Sequence, residues 1–529
     1  MSMGQEVSSS MDPETRAARV SLKYLFTWLG VFLAGGLLGL TMRSQQANLV
    51  NVGDSAFYTM MTVHGQFMFL GLGTFGAFGL TWYVLAKALR RDLHYRFINV
   101  IYWLLVLGFA LIGISGLYGN FGAGWYFLYP LPLYSVQDQW TNWSVAAFSL
   151  GELLLGLALI FYCIEVIAVL VQWGGGGVRS WSSIKKGFMA MARGIGLDGL
   201  GVVKANPHRL DASVFPLIAN AIDMLVATPP LAALLLVMFI GSTVNPNFGI
   251  NVGLADNMFW FFGHPIVYQL LFPAVAALYL LFELGSNRDW LGYTVTGAIW
   301  VLATVTNLLV WVHHLYLYPF EPLPVNLMSQ LSTMGISIVS AVSVFALLAM
   351  MWRSGIKMTP PYMFSLIAMF AWLEAGYSGV AQAIVAWNLY LHNTLWVVAH
   401  FHTMALLNIA MVAIALIYYL VPKAYPWVNL YDKWSKVHFW MTLVGGFGFV
   451  NTWFAEGVLG VPRRYAYHYM LTVYGIPVTN LDLIGVIFAI ILGIAQGIFA
   501  VKLFNELVIK RIRIMAEQEA ERIVASGGQ

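Results

Sequence analysis

The sequence predicts an all-α, polytopic membrane protein of about twelve transmembrane helices forming a single domain. Three observations carry that prediction. Of 529 residues, 60% are hydrophobic and only 9% charged, against roughly a quarter charged in soluble domains. Apolar runs of about 20 residues, enough to cross the hydrocarbon core, recur along the chain. Of the 27 Lys and Arg residues, all but Arg43, Arg463 and Arg464 fall on one side of the topology those runs imply, as the cytoplasmic preference of basic loops requires.

Taken in order, spans are expected at 24–41, 57–87, 98–118, 144–171, 213–240, 254–284, 291–313, 327–352, 361–388, 394–421, 436–459 and 481–505. Residues 1–22 read as a cytoplasmic tail, because they lack the charged-then-apolar order of a signal peptide. Residues 23–506 form the membrane unit and 507–529 a second cytoplasmic tail. No repeat, linker or second domain interrupts the pattern. The basic stretch 173–212 is the longest inner loop, suited to setting orientation and touching lipid. A single cysteine, Cys163, excludes a disulfide and argues against thiolate metal sites. The net charge of +4 gives no reason to expect nucleic acid.

Eleven histidines map onto this topology. His94, His208 and His438 fall in inner loops, where solvated surface is explanation enough, and His468 falls in the last outer loop. The other seven, His64, His264, His313, His314, His392, His400 and His402, come from five segments and share the outer half of the membrane. An imidazole at that depth is expensive unless something binds it, and unrelated core histidines would not share a level.

Spacing separates them into sets. His400 and His402 in "AHFHT" are two residues apart, so on a helix they point about 200° apart and serve different partners, with Phe401 between. Haem iron takes histidine axially, and two haems flanking one helix would need this pattern. His64 and His402 would then cap a low-spin haem, and His400 would hold a second, high-spin haem with an open face. In "VHHLY", His313 and His314 can converge if the helix frays at its end. With His264 they offer three imidazoles, a set suited to copper. Pro265 loosens the helix after His264 by removing an N–H. Tyr268 follows His264 by four residues, on the same face, and lies too deep for an interfacial anchor. A phenol there can give a hydrogen atom to a bound diatomic.

With "HG" at His64, "GHPIVY", "HH", "AHFH" and "VPRR" in this order, the chain resembles subunit I of the haem–copper oxygen reductases over essentially all twelve spans. The resemblance implies that family's fold, six metal-ligand histidines, two haems, one copper ion and a covalent His264–Tyr268 link. It implies reduction of O₂ to water, with electrons entering at the low-spin haem and protons pumped. It also implies subunit II and small membrane subunits as partners, in a prokaryotic plasma membrane. Arg463 and Arg464 of "VPRR" look like the family's pair for the haem propionates.

Within the family, Ile266 stands where the commoner branch has glutamate, and "KALRRDLHYR" lacks that branch's Asn-and-Asp pattern. "HPIVY" resembles the B-type branch, which uses a single proton channel. For that channel, Thr333, Ser337, Ser340 and Ser343 recur every three to four residues on span 8, and Tyr279 lies three turns inward of Tyr268. Hydroxyls can relay protons through water; close helix packing is the plain alternative for the serines. Two positions depart from B-type members. Val275 replaces a channel tyrosine, and Asn388 replaces an acid near a propionate, although His392 and Asn393 persist. Glu152, Asp223 and Glu374, also in the membrane, are expected to bridge helices by hydrogen bonds.

A nitric oxide reductase would keep the histidines but add a carboxylate at an iron site, against which Tyr268 and the apolar Ile266 and Val267 speak. A cofactor-free transporter using histidines as proton relays is the reading from another class. The electron donor, whether cytochrome c, a small copper protein or a quinol, leaves no mark in the sequence, and one cysteine rules out a copper–thiolate motif within this chain.

Overall fold

The computed structural model describes residues 12–177, 180–195, 209–318 and 321–526. His208, the rest of the 196–208 stretch of the basic loop and residues 1–11 of the expected tail lie outside the described residues. The chain folds as a bundle of α1 (Pro13–Gln46), α2 (Asp54–Leu89), α3 (Tyr95–Leu117), α4 (Asn142–Trp173), α5 (Ala212–Thr243), α6 (Val252–Ser286), α7 (Tyr293–Asn307), α8 (Leu323–Met351), α9 (Pro360–Ala383), α10 (Leu395–Ala424), α11 (Lys433–Val458) and α12 (Val478–Phe504). Ten of these are long and apolar enough to cross a membrane; α7 and α11 do not qualify. The expected span at 291–313 ends as an α-helix at Asn307, whose amide donates to Asp223 on α5 at 2.6 Å. A tight 3₁₀ turn, Val310–Leu315, then carries His313 and His314.

Three helices are enclosed on nearly all sides: α2, α6 and α10. These three supply His64, His264, His400 and His402. The outer helices expose large apolar side chains, among them Leu107, Leu331, Phe345, Phe370 and Ile487, the surface a bilayer would cover. Close approach to the enclosed helices depends on small residues. A Cβ at Gly39 of α1 would stand 2.7 Å from His64, and one at Gly35 would stand 2.7 Å from Met68.

Several expectations need correction. The first helix starts at Pro13, inside the segment read as a tail, because Asp12 caps it by accepting from Glu14 and Thr15. Ala17, Ala18, Ser21 and Leu22 are already buried. His438 is not solvated loop surface. It is fully buried on α11, between the rings of Phe364 and Phe499, with Nδ1 at 3.0 Å from Tyr418 Oη and Nε2 at 3.3 Å from Gln496. Of the three membrane acids expected to bridge helices, Asp223 does so. Glu374 of α9 has a side-chain hydrogen bond with Asn451 of α11, whereas Glu152 leaves Oε1 without a hydrogen-bond partner among the described residues.

Arg43, one of the three arginines on the outer side, is buried at the end of α1. It donates to Asp482 and, at 2.6 Å, to Glu456, while His468 Nδ1 lies 3.0 Å from both Asp482 oxygens. All four side chains are at most 1% exposed, and they tie α1 to α11, α12 and the last outer loop. Removing one partner of such a cluster strands a buried charge, at a cost of about 3–5 kcal/mol. Arg43→Met is therefore expected to lower the unfolding midpoint of the purified protein in detergent. A variant that melts with the parent would show that the cluster contributes no stability.

Candidate metal centre

A single cavity of about 1140 Å³ runs through the outer half of the bundle and is lined by all seven membrane-level histidines. Each imidazole reaches it from an element whose local geometry departs from a plain α-helix. Immediately after His64, α2 opens into π-type turns at Gln66–Leu70 and Leu72–Gly76, and after His402, α10 does the same at Thr403–Ile409. In α6, the stretch up to Gly263 gives way at His264 to a new start with Pro265 at the first helical position. Local π turns of this kind re-aim side chains and recur at functional sites.

His264, His313 and His314 offer ring nitrogens that all lie within 4.8 Å of one another. Nδ1 of His264 faces Nε2 of His314 at 3.1 Å, so two ring nitrogens converge on one point. The 3₁₀ turn lets two consecutive residues contribute, since both rings turn toward His264, with centroids at 4.4 Å and 5.3 Å. Trp260 stacks on His314 at 3.9 Å and 9°, and Thr333 Oγ1 lies 3.0 Å from His313 Nδ1. These neighbours fix ring orientation, as partners in the next layer do around metal ligands.

His64 and His402 face each other with rings 14° from parallel and centroids 6.2 Å apart, wider than the stacking contact of His314 on Trp260. Each ring places Nδ1 2.8 Å from a backbone carbonyl, Gly35 O and Val398 O. An N–H there donates, and the tautomer this selects leaves each Nε2 with a free lone pair. His400 points the other way from the same helix turn. Its Nδ1 lies 3.1 Å from Ser378 Oγ, and a Cβ at Gly379 would come within 2.8 Å of its ring. Phe401 lies between the two sets, packed on Phe69 and Trp125. Donor chemistry and ring aim thus fit a metal held between His64 and His402, and another at His400. Tyr268 lines the same cavity, its ring 4.9 Å from that of His264.

Above these rings, the "VPRR" loop is pinned to the start of α10. Leu395 N donates to Val461 O, Arg463 N to Asn393 O, and the Arg463 side chain to Asn393 Oδ1 at 2.9 Å. Arg464 lies 3.9 Å over the ring of Tyr126. Burial, and then the adjacent Arg464, hold the Arg463 guanidinium below its usual affinity for a proton. His392 is pushed down to about 4 by burial and then by the two arginines, so it is neutral at pH 7, with Nδ1 3.1 Å from Asn388 Oδ1. Thr333, Ser337 and Ser340 also face the cavity, whereas Ser343 does not line it and receives the Tyr279 hydroxyl at 2.8 Å.

The profile of the family described as "Cytochrome C and Quinol oxidase polypeptide I" matches residues 19–491. The chain belongs to that family. It is therefore the membrane-spanning subunit I of a haem–copper-type oxidoreductase. Among relatives, it is 28% identical over 459 residues to a heme-copper oxidase subunit I+III of Aeropyrum pernix, covering 84% of this chain and 52% of that longer protein. It is 24% identical to cytochrome c oxidase subunit 1 of Thermostichus vulcanus, covering 84% of this chain and 77% of the relative. A solved structure of a heme-copper terminal oxidase dimer aligns with TM-score 0.77 at 21% identity, covering 93% of this chain and 84% of that one, and establishes the fold. Haem and copper are the groups this family implies.

Sequence reasoning named the histidines but missed what holds them. The signals were present as small residues: Gly35 and Gly39, one turn apart, seat His64, and Ser378–Gly379 seats His400. If those seats set ring position, Gly39→Ala and Gly379→Ala will each perturb the haem absorption spectrum of the purified protein, and in different ways. Identical spectra in both variants and the parent would refute the assignment.

Proposed function

We propose that this chain is the O₂-reducing subunit of a prokaryotic terminal oxidase of the B-type branch. In this reading it spans the plasma membrane twelve times with both termini in the cytoplasm. The observation that carries the proposal is convergence. Three imidazoles gathered within 4.8 Å open onto the same cavity as His64, His402 and His400. A low-spin haem between His64 and His402, a high-spin haem on His400 and a copper ion on His264, His313 and His314 would supply the electrons and the site at which O₂ is reduced to water.

The chain's own residues do the rest. His264, His313 and His314 present lone pairs, with Thr333 and Trp260 fixing their rings. Phe401 separates the two faces of α10 with packed aromatic surface. Arg463 and Arg464, with Asn393 and His392 beside them, form a cationic and hydrogen-bonding roof suited to haem propionates. Tyr268 holds a proton and an oxidisable ring beside His264, so it can give up both together where an O–O bond must break. For proton supply, Thr333, Ser337 and Ser340 face the cavity, and the Tyr279–Ser343 hydrogen bond continues the row inward. The unbroken apolar burial of Val275 leaves water, rather than a side chain, to connect Tyr279 with Tyr268. Subunit II and small membrane subunits would complete the complex, with cytochrome c, a copper protein or a quinol as donor.

Metal analysis of the purified complex tests the proposal. Two haems and one copper per chain are expected, with haem bands in the reduced-minus-oxidised spectrum. Extra iron in place of copper would shift the reading to a nitric oxide reductase, and the absence of haem bands would end it. Tyr268→Phe should keep both haems and lose essentially all oxygen uptake in an oxygen-electrode assay; substantial turnover in that variant would remove the role given to the phenol.

A further inference from the structure

The cavity that gathers the histidines also reaches the flank of the bundle. On α9 it is lined by Leu373, Gly376 and Tyr377, yet Leu373 and Tyr377 are 48% and 57% exposed on the surface a bilayer would cover. A Cβ at Gly376 would meet nothing within 4 Å, so the backbone there borders open space. Polar groups flank this opening. Glu374 stands three residues before Tyr377, on the same side of α9, and is hydrogen-bonded to Asn451 of α11. Its Oε2 has no hydrogen-bond partner among the described residues. Asn451 Nδ2 is anchored on Phe447 O at 2.9 Å, and the ring of Tyr377 lies 6.5 Å from that of Phe454 on α11.

α9 and α11 both run outward, so Glu374 and Asn451 stand about 10–14 Å below their outer ends, at 1.5 Å per residue. A carboxyl group at that depth is costly and marks function by default. On the lipid-facing side, what reaches it is a molecule dissolved in the bilayer. The same two helices also touch the haem-site histidines. Tyr377 is followed by Ser378, whose Oγ lies 3.1 Å from His400 Nδ1. Asn451 stands two residues before Trp453, whose ring lies 4.6 Å from that of His402. An acid, an amide and a phenol thus meet at a lateral opening, next to the side chains that contact both sets of rings.

We propose that this opening between α9 and α11 is an oxidation site for a membrane-dissolved quinol, which makes the electron donor a lipid-soluble hydroquinone. The proposal rests on the oxidase reading above and names its donor. Glu374 accepts one quinol hydroxyl at its free oxygen, Asn451 fixes the carboxyl group, and Tyr377 meets the second hydroxyl. On oxidation both quinol O–H bonds break. One proton passes to the Glu374 carboxylate and the other to water by way of the Tyr377 hydroxyl, while two electrons pass in turn to the low-spin haem beside Trp453. Two quinols supply the four electrons that reduce one O₂ to two waters, and the four protons given up balance the four taken up in forming water.

Anaerobic stopped-flow reduction of the intact purified complex tests the proposal, with decylubiquinol and menadiol as probes and tetramethylphenylenediamine as a donor of electrons alone. The parent is expected to reduce its haems with at least one of the two quinols. Glu374→Gln should lower the ratio of quinol-driven to phenylenediamine-driven rate by about a hundredfold, the low end for loss of a positioned proton acceptor, and Glu374→Asp should recover part of it. Asn451→Leu should raise the KM for quinol more than it lowers kcat. A parent that oxidises neither quinol overturns the proposal, and so does an unchanged rate ratio in Glu374→Gln and Asn451→Leu. Spectra of the same samples keep the two readings apart. A parent without haem bands sinks the oxidase assignment, whereas haem bands and phenylenediamine-driven oxygen uptake without quinol oxidation sink only this one.

Discussion

The site depends on one constraint: a histidine ring in an apolar bundle must have one nitrogen occupied by the protein before the other can be aimed. His64 and His402 meet it with backbone carbonyls, His400 with Ser378 and His313 with Thr333. Each of these bonds does two things. It satisfies a polar atom that the bilayer interior cannot solvate, and it fixes which nitrogen keeps its lone pair. His264 has no such partner; its Nδ1 faces His314 and its Nε2 is unpaired. Its position is set instead by Pro265 and by the ring of Tyr268. Four of the six imidazoles are thus held at one nitrogen by another group of the protein.

The same constraint explains why regular helices fail where they do. A turn that must swing a ring toward a shared axis departs from strict i→i−4 pairing, whereas a carbonyl such as Gly35 O, with two lone pairs, can accept from an imidazole and stay within a regular helix. Hence the π turns directly after His64 and His402, the restart at Pro265 and the 3₁₀ turn under His313 and His314. The irregular turns that carry the histidines lie in the enclosed helices and at the end of α7, where protein rather than lipid surrounds the freed backbone groups, a setting in which membrane structures permit it.

Much of this was legible in the sequence, and the parts that were not share a cause. Hydropathy placed the ten helices long and apolar enough to cross a membrane, and topology put seven histidines at one depth, because both are properties of single segments. His438 was misread because its neighbours in sequence, Lys433 and Lys436, read as an inner loop although they lie in the first turn of α11, whereas its neighbours in space are Tyr418 and Gln496. Thr333 reads as one member of a hydroxyl stripe on α8, but its contact with His313 exists only because α7 stops early. Glu152 looks like any membrane acid until α2 and α5 bring threonines beside it and no donor. Pairing across helices is tertiary information, and one sequence does not contain it.

The three arginines on the outer side make the same point through charge. Arg43 is balanced: Asp482 and Glu456 meet its guanidinium, and His468 meets Asp482. Arg463 and Arg464 have no carboxylate partner among the described residues; Arg463 donates to the neutral Asn393, and Arg464 lies on a tyrosine face. Two adjacent cations, half-buried, with burial weakening the hold of both on their protons and Arg464 adding to that effect on Arg463, form an arrangement that protein alone leaves unfavourable. It becomes favourable when anions are bound beneath it. They line the same cavity as the converging imidazoles, so the charge imbalance and the lone-pair geometry are two independent observations that support the proposed binding of a group both metal-bearing and acidic.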